Sequence, residues 1–247
     1  MMRKDKLEHT LVLIKPDALK NSMTGYVFSQ LSEFHSGMRF AGMKIVRVNR
    51  MLAEEHYVEH RGKPFYPSLI EYLTGAAHYP EQDWKRRVIA LVYQGPNAIQ
   101  CVRTISGPTN PHEARETFPG SIRSLGTVVP IMDKRGRKLS ERVDNLIHAS
   151  ASSKEAEREI KLWFKPNDIP PGMRFFKTKI CEDHCYYLKG RIYKDHEKDS
   201  ICILAPGDAV WSTDLEIVNQ VFAGKRPMDQ TINPVVAKYL INEDRGE

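Results

Sequence analysis

The chain has 247 residues, 41% hydrophobic and 28% charged, with a formal net charge of +6 and a pI near 9.0. That length can bury a full core, and the composition excludes a collagen-like, low-complexity or disordered chain. The N-terminus is charged but has no apolar segment with a cleavage site behind it. No apolar run reaches spanning length, so no membrane segment is expected and a cytoplasmic protein is.

The positive excess belongs to the first part of the chain. Up to Pro171 there are 26 Lys and Arg against 19 Asp and Glu, and from Gly172 onward 11 against 12. Such a field attracts polyphosphates or nucleic acid without choosing between them. Four cysteines, Cys101, Cys181, Cys185 and Cys202, are too few for a disulfide framework. Cys181-Glu182-Asp183-His184-Cys185 resembles half a metal site, with His196 and Cys202 to complete it, but it lacks the paired knuckles of a zinc signature, and reduced thiols are the better reading.

In chain order, His9 to Ile14 is an apolar run that reads as a buried strand delivering Lys15 to its C-terminal end. Thr24 is set to cap a helix through Val27, Phe28, Leu31 and Phe34 that Ser36-Gly37 stops. Arg39 to Arg50 alternates as a strand, and Ala53–His60 and Ser68–Thr74 read as short helices around Pro64 and Pro67. Val88 to Tyr93 is a second buried strand, closed by Gly95-Pro96. Asn97 opens a helix that ends at Gly107-Pro108. Asn145 to Ala149 reads as a short strand, and Ser152/Ser153 to Phe164 as a helix with Glu at its start. Beyond Gly172, 186–193 and 200–204 read as two strands around a charged turn, and Leu215–Phe222 and Pro234–Ile241 as helices. The alternation through Phe164 predicts an α+β sandwich, a ferredoxin-like split βαβ antiparallel sheet with helices packed on it.

Chemistry concentrates on His148, inside Asn145-Leu146-Ile147-His148-Ala149-Ser150. An imidazole on rigid backbone is a nucleophile near neutral pH, and Lys15, Arg103, Thr109 and Arg123 are residue types that receive phosphate oxygens. The combination suggests phosphoryl transfer through a phosphohistidine.

Six segments carry a resemblance: TLVLIKPDAL from Thr10, EHYVEHRGKPFY from Glu55, RTISGPTNP from Arg103, PGSIR from Pro119, NLIHAS from Asn145 and EAEREIKLWF from Glu155. In that order they resemble the nucleoside diphosphate kinase family, over roughly Leu7 to Pro170. The resemblance implies transfer of the γ-phosphate of ATP or another nucleoside triphosphate to a diphosphate such as GDP, by a ping-pong route. It implies His148 as nucleophile, Glu159 as the carboxylate on its other nitrogen with Ser150 beside it, and Lys15, Arg103, Arg123 and Thr109 facing the phosphates. It further implies Tyr57 near the lysine and histidine, Asn145 with Lys15 at the sugar hydroxyl, Phe65 stacked on the base and Leu69 beside it. His60 matches a histidine of only some members and is left out of the site. Mg²⁺ is expected to arrive on the nucleotide without a metal site of protein ligands, and a homo-oligomer is expected.

Pro108 stands where an acidic residue is common, Ala151 where aspartate is, Ala149 where glycine is and Lys63 where arginine is. None removes a group the mechanism requires. Stretches 76–87 and 125–144 are insertions, the second carrying Asp133-Lys134-Arg135-Gly136-Arg137-Lys138. A solvated hairpin is preferred there to a basic lid or nucleic-acid contact. Residues 1–171 are thus read as the catalytic domain and 172–247 as an extension of unrecognised role that packs on its own or a neighbouring kinase domain, with a small nucleotide-sensing or partner-binding module as the alternative. The competing reading is a binding or scaffold protein on the same fold, contacting nucleic acid through the Leu125 to Asp144 stretch, with catalysis secondary or lost.

Overall fold

The computed structural model describes residues 7–226 and 232–240. The first half yields β1 (Leu7–Ile14), α1 (Pro16–Lys20), α2 (Thr24–Gln30), α3 (Glu33–Ser36), β2 (Arg39–Val46), α4 (Arg50–His56), α5 (Tyr66–Thr74), β3 (Val88–Pro96) and α6 (Ala98–Ser106). Then come α7 (Pro111–Thr117), β4 (Thr127–Met132), β5 (Lys138–Asp144), β6 (Ile147–Ala149) and α8 (Ser153–Trp163). The central sheet has the order β2-β3-β1-β6 with antiparallel neighbours, the arrangement expected of a split βαβ sheet.

The apolar runs of β1 and β3 are continuous because both faces of the sheet are covered. On one face Leu11, Leu13, Val88, Ala90 and Val92 pack with Leu52, Ala53, Ile70, Leu73 and Ile160 of α4, α5 and α8. On the other, Val12, Ile14, Leu91 and Tyr93 pack with Val27, Leu31, Ala98 and Val102 of α2 and α6.

Several boundaries differ from the sequence reading. The helix from Thr24 is broken after Gln30, and Thr24 is its first residue, not a side-chain cap; Ser32 caps the short α3 instead, and Gly37 at φ 68° ends it as expected. β2 stops at Val46 because Asn49 accepts a hydrogen bond from Leu52 N and starts α4. The strand read from Asn145 begins only at Ile147, since Leu146 has φ 69°. Helix α7 was not anticipated, although Asn110 caps it and Pro111 opens it.

The insertion at 125–144 is the solvated hairpin β4–β5. Three of its five basic residues are paired within it, Arg137 with Asp133 at 2.8 Å, Arg142 with Asp144 at 2.7 Å and Lys138 with Glu141.

Beyond residue 172 the elements are β7 (Thr178–Ile180), β8 (Cys185–Leu188), β9 (Arg191–Tyr193), β10 (Ile201–Leu204), β11 (Ala209–Trp211), α9 (Ser212–Phe222) and α10 (Asn233–Ala237). The segment expected as one strand over 186–193 is a hairpin. Lys189 and Gly190 both take positive φ, 47° and 87°, and reverse the chain. The last expected helix ends at Ala237, and Ile241 lies outside the described residues.

These elements enclose their own core of Cys181, Cys185, Ile203, Val218 and Val235, yet Trp211 and Ala237 belong to the core of the first fold. Trp211 Nε1 donates to Phe164 O at 2.7 Å, His9 Nε2 lies 3.1 Å from Met173 O, and Asn49 Nδ2 donates to Leu240 O at 3.2 Å. The extension therefore packs on its own catalytic fold. Its cysteines are free thiols, and His184 stacks on Tyr186.

Candidate active site

His148 lies on the edge strand β6 opposite Leu13 of β1. Directly paired residues share a face, so its side chain joins Leu13 on the side covered by α4 and α8, while Ile147 and Ala149 enter the opposite core. Helix α8 is started by Ser152, whose Oγ accepts from Glu155 N at 3.2 Å. Two turns on, Glu159 faces inward and is 2% exposed.

The contact is direct. His148 Nε2 is 2.9 Å from Glu159 Oε2, and Ser150 Oγ donates to the same oxygen at 2.6 Å. Burial alone would raise the carboxyl pKa, but the imidazole and the hydroxyl outweigh it and hold Glu159 at about 2. An ionised carboxylate on Nε2 keeps the proton on that nitrogen and leaves the lone pair of the neutral ring on Nδ1.

A second group forms around the turn that precedes β6. Lys15 Nζ donates to Asn145 Oδ1, and Asn145 Nδ2 donates to Thr109 O at 2.8 Å. Lys15 is 4% exposed and sits 4.2 Å from the centroid of the Tyr72 ring. Burial pushes its pKa down to about 8, with Asp17 resisting and Arg123 assisting.

The left-handed Leu146 is fixed from both sides. Its N–H donates to Asp17 Oδ2 at 2.8 Å, and its carbonyl accepts from Lys15 N at 2.9 Å. Backbone conformation is costly there for a residue with a Cβ, and it sets Asn145 and His148 at fixed positions on either side.

Arg123 Nη1 donates to Gly107 O at 2.9 Å, and its Nη2 lies 3.4 Å from Ile147 O. Burial, then the nearby Arg103, lowers its pKa to about 10. Gly107 has φ 78°, and a Cβ there would stand 2.3 Å from Ser121 Oγ, so only glycine lets that segment close on Arg123. Arg103 and Thr109 are exposed. Tyr57 follows α4, and burial with the nearby Glu159 pushes its phenol above the usual range.

The residues singled out in the sequence thus fall into linked groups: His148, Glu159 and Ser150; Lys15, Asn145 and Thr109; Arg103 and Arg123. Phe65 is 49% exposed at the start of α5, next to His60 and Lys63, and Leu69 lies one turn further on, partly buried. Neither is hydrogen-bonded into these groups by its side chain, as befits apolar residues that would meet a base.

Sequence reasoning missed four supporting residues. Asp17 holds the Leu146 turn, and Tyr72 Oη accepts from Asn145 N at 3.2 Å. Asp144 is bound by His78 at 3.0 Å and by Arg142 at 2.7 Å, which ties the segments 76–87 and 125–144 together just before β6. His56 lies with its ring centroid 4.4 Å from that of His148. Only Asp17 carried a local signal, as the residue two after Lys15.

An imidazole oriented by a carboxylate and flanked by buried cations is equipped to take up and release a phosphoryl group, which defines a histidine phosphotransferase. The sequence model of the family described as Nucleoside diphosphate kinase matches residues 8–169. Among curated proteins, the nucleoside diphosphate kinase of Pyrococcus furiosus is 38% identical over 165 residues, 67% of this chain and 88% of that one. The one from Staphylococcus aureus strain JH9 is 42% identical over 164 residues, 66% and 91%. Among solved structures, the Aquifex aeolicus nucleoside diphosphate kinase aligns with TM-score 0.53 at 31% identity, over 67% of this chain and 100% of that one. The Borrelia burgdorferi enzyme, with bound vanadate and ADP, aligns with TM-score 0.50 at 27% identity, over 69% and 93%. The chain belongs to the nucleoside diphosphate kinase family. It is a phosphotransferase that moves the γ-phosphate of a nucleoside triphosphate to a nucleoside diphosphate. Among the described residues no helix is long and apolar enough to cross a membrane.

Proposed function

We propose that His148 carries the phosphoryl group between the two half-reactions, as a phosphohistidine formed on Nδ1. The observation that carries this is the 2.9 Å contact of Nε2 with Glu159, which reserves the other nitrogen for attack. The Nδ1 lone pair forms the N–P bond as the bond from the γ-phosphorus to the β,γ-bridging oxygen breaks, and the diphosphate leaves with that electron pair. The Nε2 proton stays on the ring against Glu159. The second half-reaction reverses these steps with a different diphosphate.

Positive charge on Lys15, Arg103 and Arg123 meets the charge spread over the phosphoryl oxygens. The Thr109 hydroxyl and the Tyr57 phenol add donors, and Asn145 with Lys15 takes the sugar hydroxyl. Phe65 stacks on the base and Leu69 packs beside it. Stacking accepts any nucleobase, so broad nucleotide use is expected.

Enzymes of this family use a divalent cation, and we assign it as Mg²⁺ held by the nucleotide. The nearby carboxylates support that assignment, because Glu159 is bonded to His148 and Ser150 and Asp144 to His78 and Arg142. A cation that keeps most of its water shell and rides on phosphate oxygens needs no protein cage. Bound there, it would neutralise charge between the β- and γ-phosphates.

The catalytic domain is assigned to residues 1–171 and the extension to 172–247. The end of the family match at 169 and the separate core of the extension support this division. A cytoplasmic homo-oligomer is the expected working form.

The test is incubation of wild type and His148→Ala with γ-labelled ATP, followed by GDP. Acid-labile label should appear on wild type alone and leave as GTP. Equal label on His148→Ala would reject this nucleophile, and no label on either protein would favour the binding-module reading.

A further inference from the structure

One buried group beside the reacting imidazole has no role in this cycle. His56, the last residue of α4, is 3% exposed and meets the His148 ring edge-on, at 81° and 4.4 Å between centroids. From α8, Trp163 Nε1 donates to His56 Nδ1 at 3.2 Å. An indole nitrogen can only donate, so Nδ1 holds a lone pair and the proton of the neutral ring is on Nε2. That N–H is buried and has no hydrogen-bond partner, an arrangement that is costly unless a partner is met during function.

The neighbourhood limits what the partner can be. A nitrogen of His56, a nitrogen of His148 and a carboxylate oxygen of Glu159 all lie within 4.8 Å of one another. Two imidazoles and a carboxylate at that spacing could hold a metal ion. A metal on Nε2 would, however, move the ring proton to Nδ1, directly against the Trp163 N–H. The tautomer favours donation, and of the neighbouring pair the Glu159 carboxylate is the group able to accept, because His148 Nε2 carries a proton and Nδ1 is the attacking atom; no hydrogen bond joins them in this structure.

We propose that His56 is a positioning residue for phosphoryl transfer, with its Nε2–H fixed by Trp163 as the donor that orients the His148–Glu159 pair while charge develops on His148. The inference rests on His148 being the nucleophile. Attack by Nδ1 makes the His148 ring cationic only as the N–P bond forms, and Glu159 must meet that charge without turning away. Burial, followed by the field of His148, keeps His56 well below the usual histidine range, so it adds no opposing charge. An interaction that matters in the transition state alone affects the rate of transfer and leaves nucleotide affinity unchanged.

Two substitutions separate the donor from the acceptor. His56→Asn keeps an oxygen near the Nδ1 position for Trp163 and deletes the donor, whereas His56→Gln keeps an amide N–H near the Nε2 position and deletes the acceptor. Rapid-quench measurement of acid-labile label from γ-labelled ATP should show His56→Asn slowed at least about 10-fold, at an unchanged half-saturating ATP concentration. His56→Gln should remain within about threefold of wild type. Equal losses, a larger loss in His56→Gln, no loss in either, or a change in half-saturation alone would overturn the proposal.

Nitrogen NMR of wild-type histidines gives a reading independent of variant folding. His56 should be a neutral Nε2–H tautomer whose signal moves when His148 is phosphorylated; the Nδ1–H tautomer, an imidazolium or an unmoved signal would also overturn it. His148→Ala, assayed alongside, tests the nucleophile separately, since label on that protein rejects His148 whatever the His56 variants do.

Discussion

Two buried lysines show how the regions of this chain differ. Lys15 in the catalytic fold and Lys238 in the extension are 4% and 2% exposed. Lys238 Nζ is bonded to the carboxylate of Asp214, whereas Lys15 Nζ is bonded to the neutral amide oxygen of Asn145. A buried ammonium matched by a carboxylate is neutralised where it stands and serves packing. Burial draws the pKa of both lysines down, but the one held by an amide feels carboxylates only through space and has none bonded to its charge. The two buried thiols of the extension follow the structural pattern, burial raising Cys181 and pushing Cys185 up to about 12, away from the reactive thiolate. Buried charge is therefore chemical equipment in one region and scaffolding in the other.

The strongest challenge to this contrast is Trp211→Ala. Removing a fully buried indole that bonds Phe164 O should lower stability by about 3–5 kcal/mol. Urea unfolding followed by activity and by circular dichroism should still give one coincident transition, because the core is shared; separate transitions would make the extension an independent unit. Next, Glu159→Gln should slow phosphorylation of His148 by roughly 10- to 100-fold with little change in unfolding midpoint, as measured by single-turnover labelling.

A smaller effect concerns pH. In the proposed site Lys15 meets phosphate in its protonated form, and burial has lowered its pKa to about 8. The charge is complete below that pH and is lost as pH rises through it, so kcat/KM should fall above about pH 8. Lys15→Arg, permanently charged, should lack that limb whatever its absolute rate. A limb retained in the variant would assign it to another group. Least affected should be a protein with Lys134, Arg135, Arg137 and Lys138 changed to Ser, whose kcat/KM for ATP should stay within about twofold if the β4–β5 hairpin is a solvated surface.

Legibility followed the range of the forces involved. β1, β3 and α8 could be read because apolar periodicity and a serine cap are local signals. The break in the helix after Gln30 could not, because the chain there bends to fit Leu31 and Phe28 into a core whose other wall is β3 and α6. The reacting groups were recognisable as residue types in known segments. Their supports were not, since Asp17 meets Leu146 across 129 positions and Trp163 meets His56 across 107. A histidine that holds another in place looks in sequence like any histidine. The extension offered no familiar segment, and its hairpin at Lys189-Gly190 was a feature that turn chemistry could have resolved beforehand.

The bond from Trp211 to Phe164 also sets a timetable. Its partners lie 47 positions apart, so during synthesis at 5–20 residues per second the end of the helix bearing Glu159 is made roughly 2–9 s before its indole partner. Through that interval the nascent catalytic fold has one wall of its core missing, at the place Trp211 and Ala237 later fill. The extension thus completes the core of the kinase fold, and a chain halted before Trp211 presents that fold with an open apolar seam for chaperones and proteases to find.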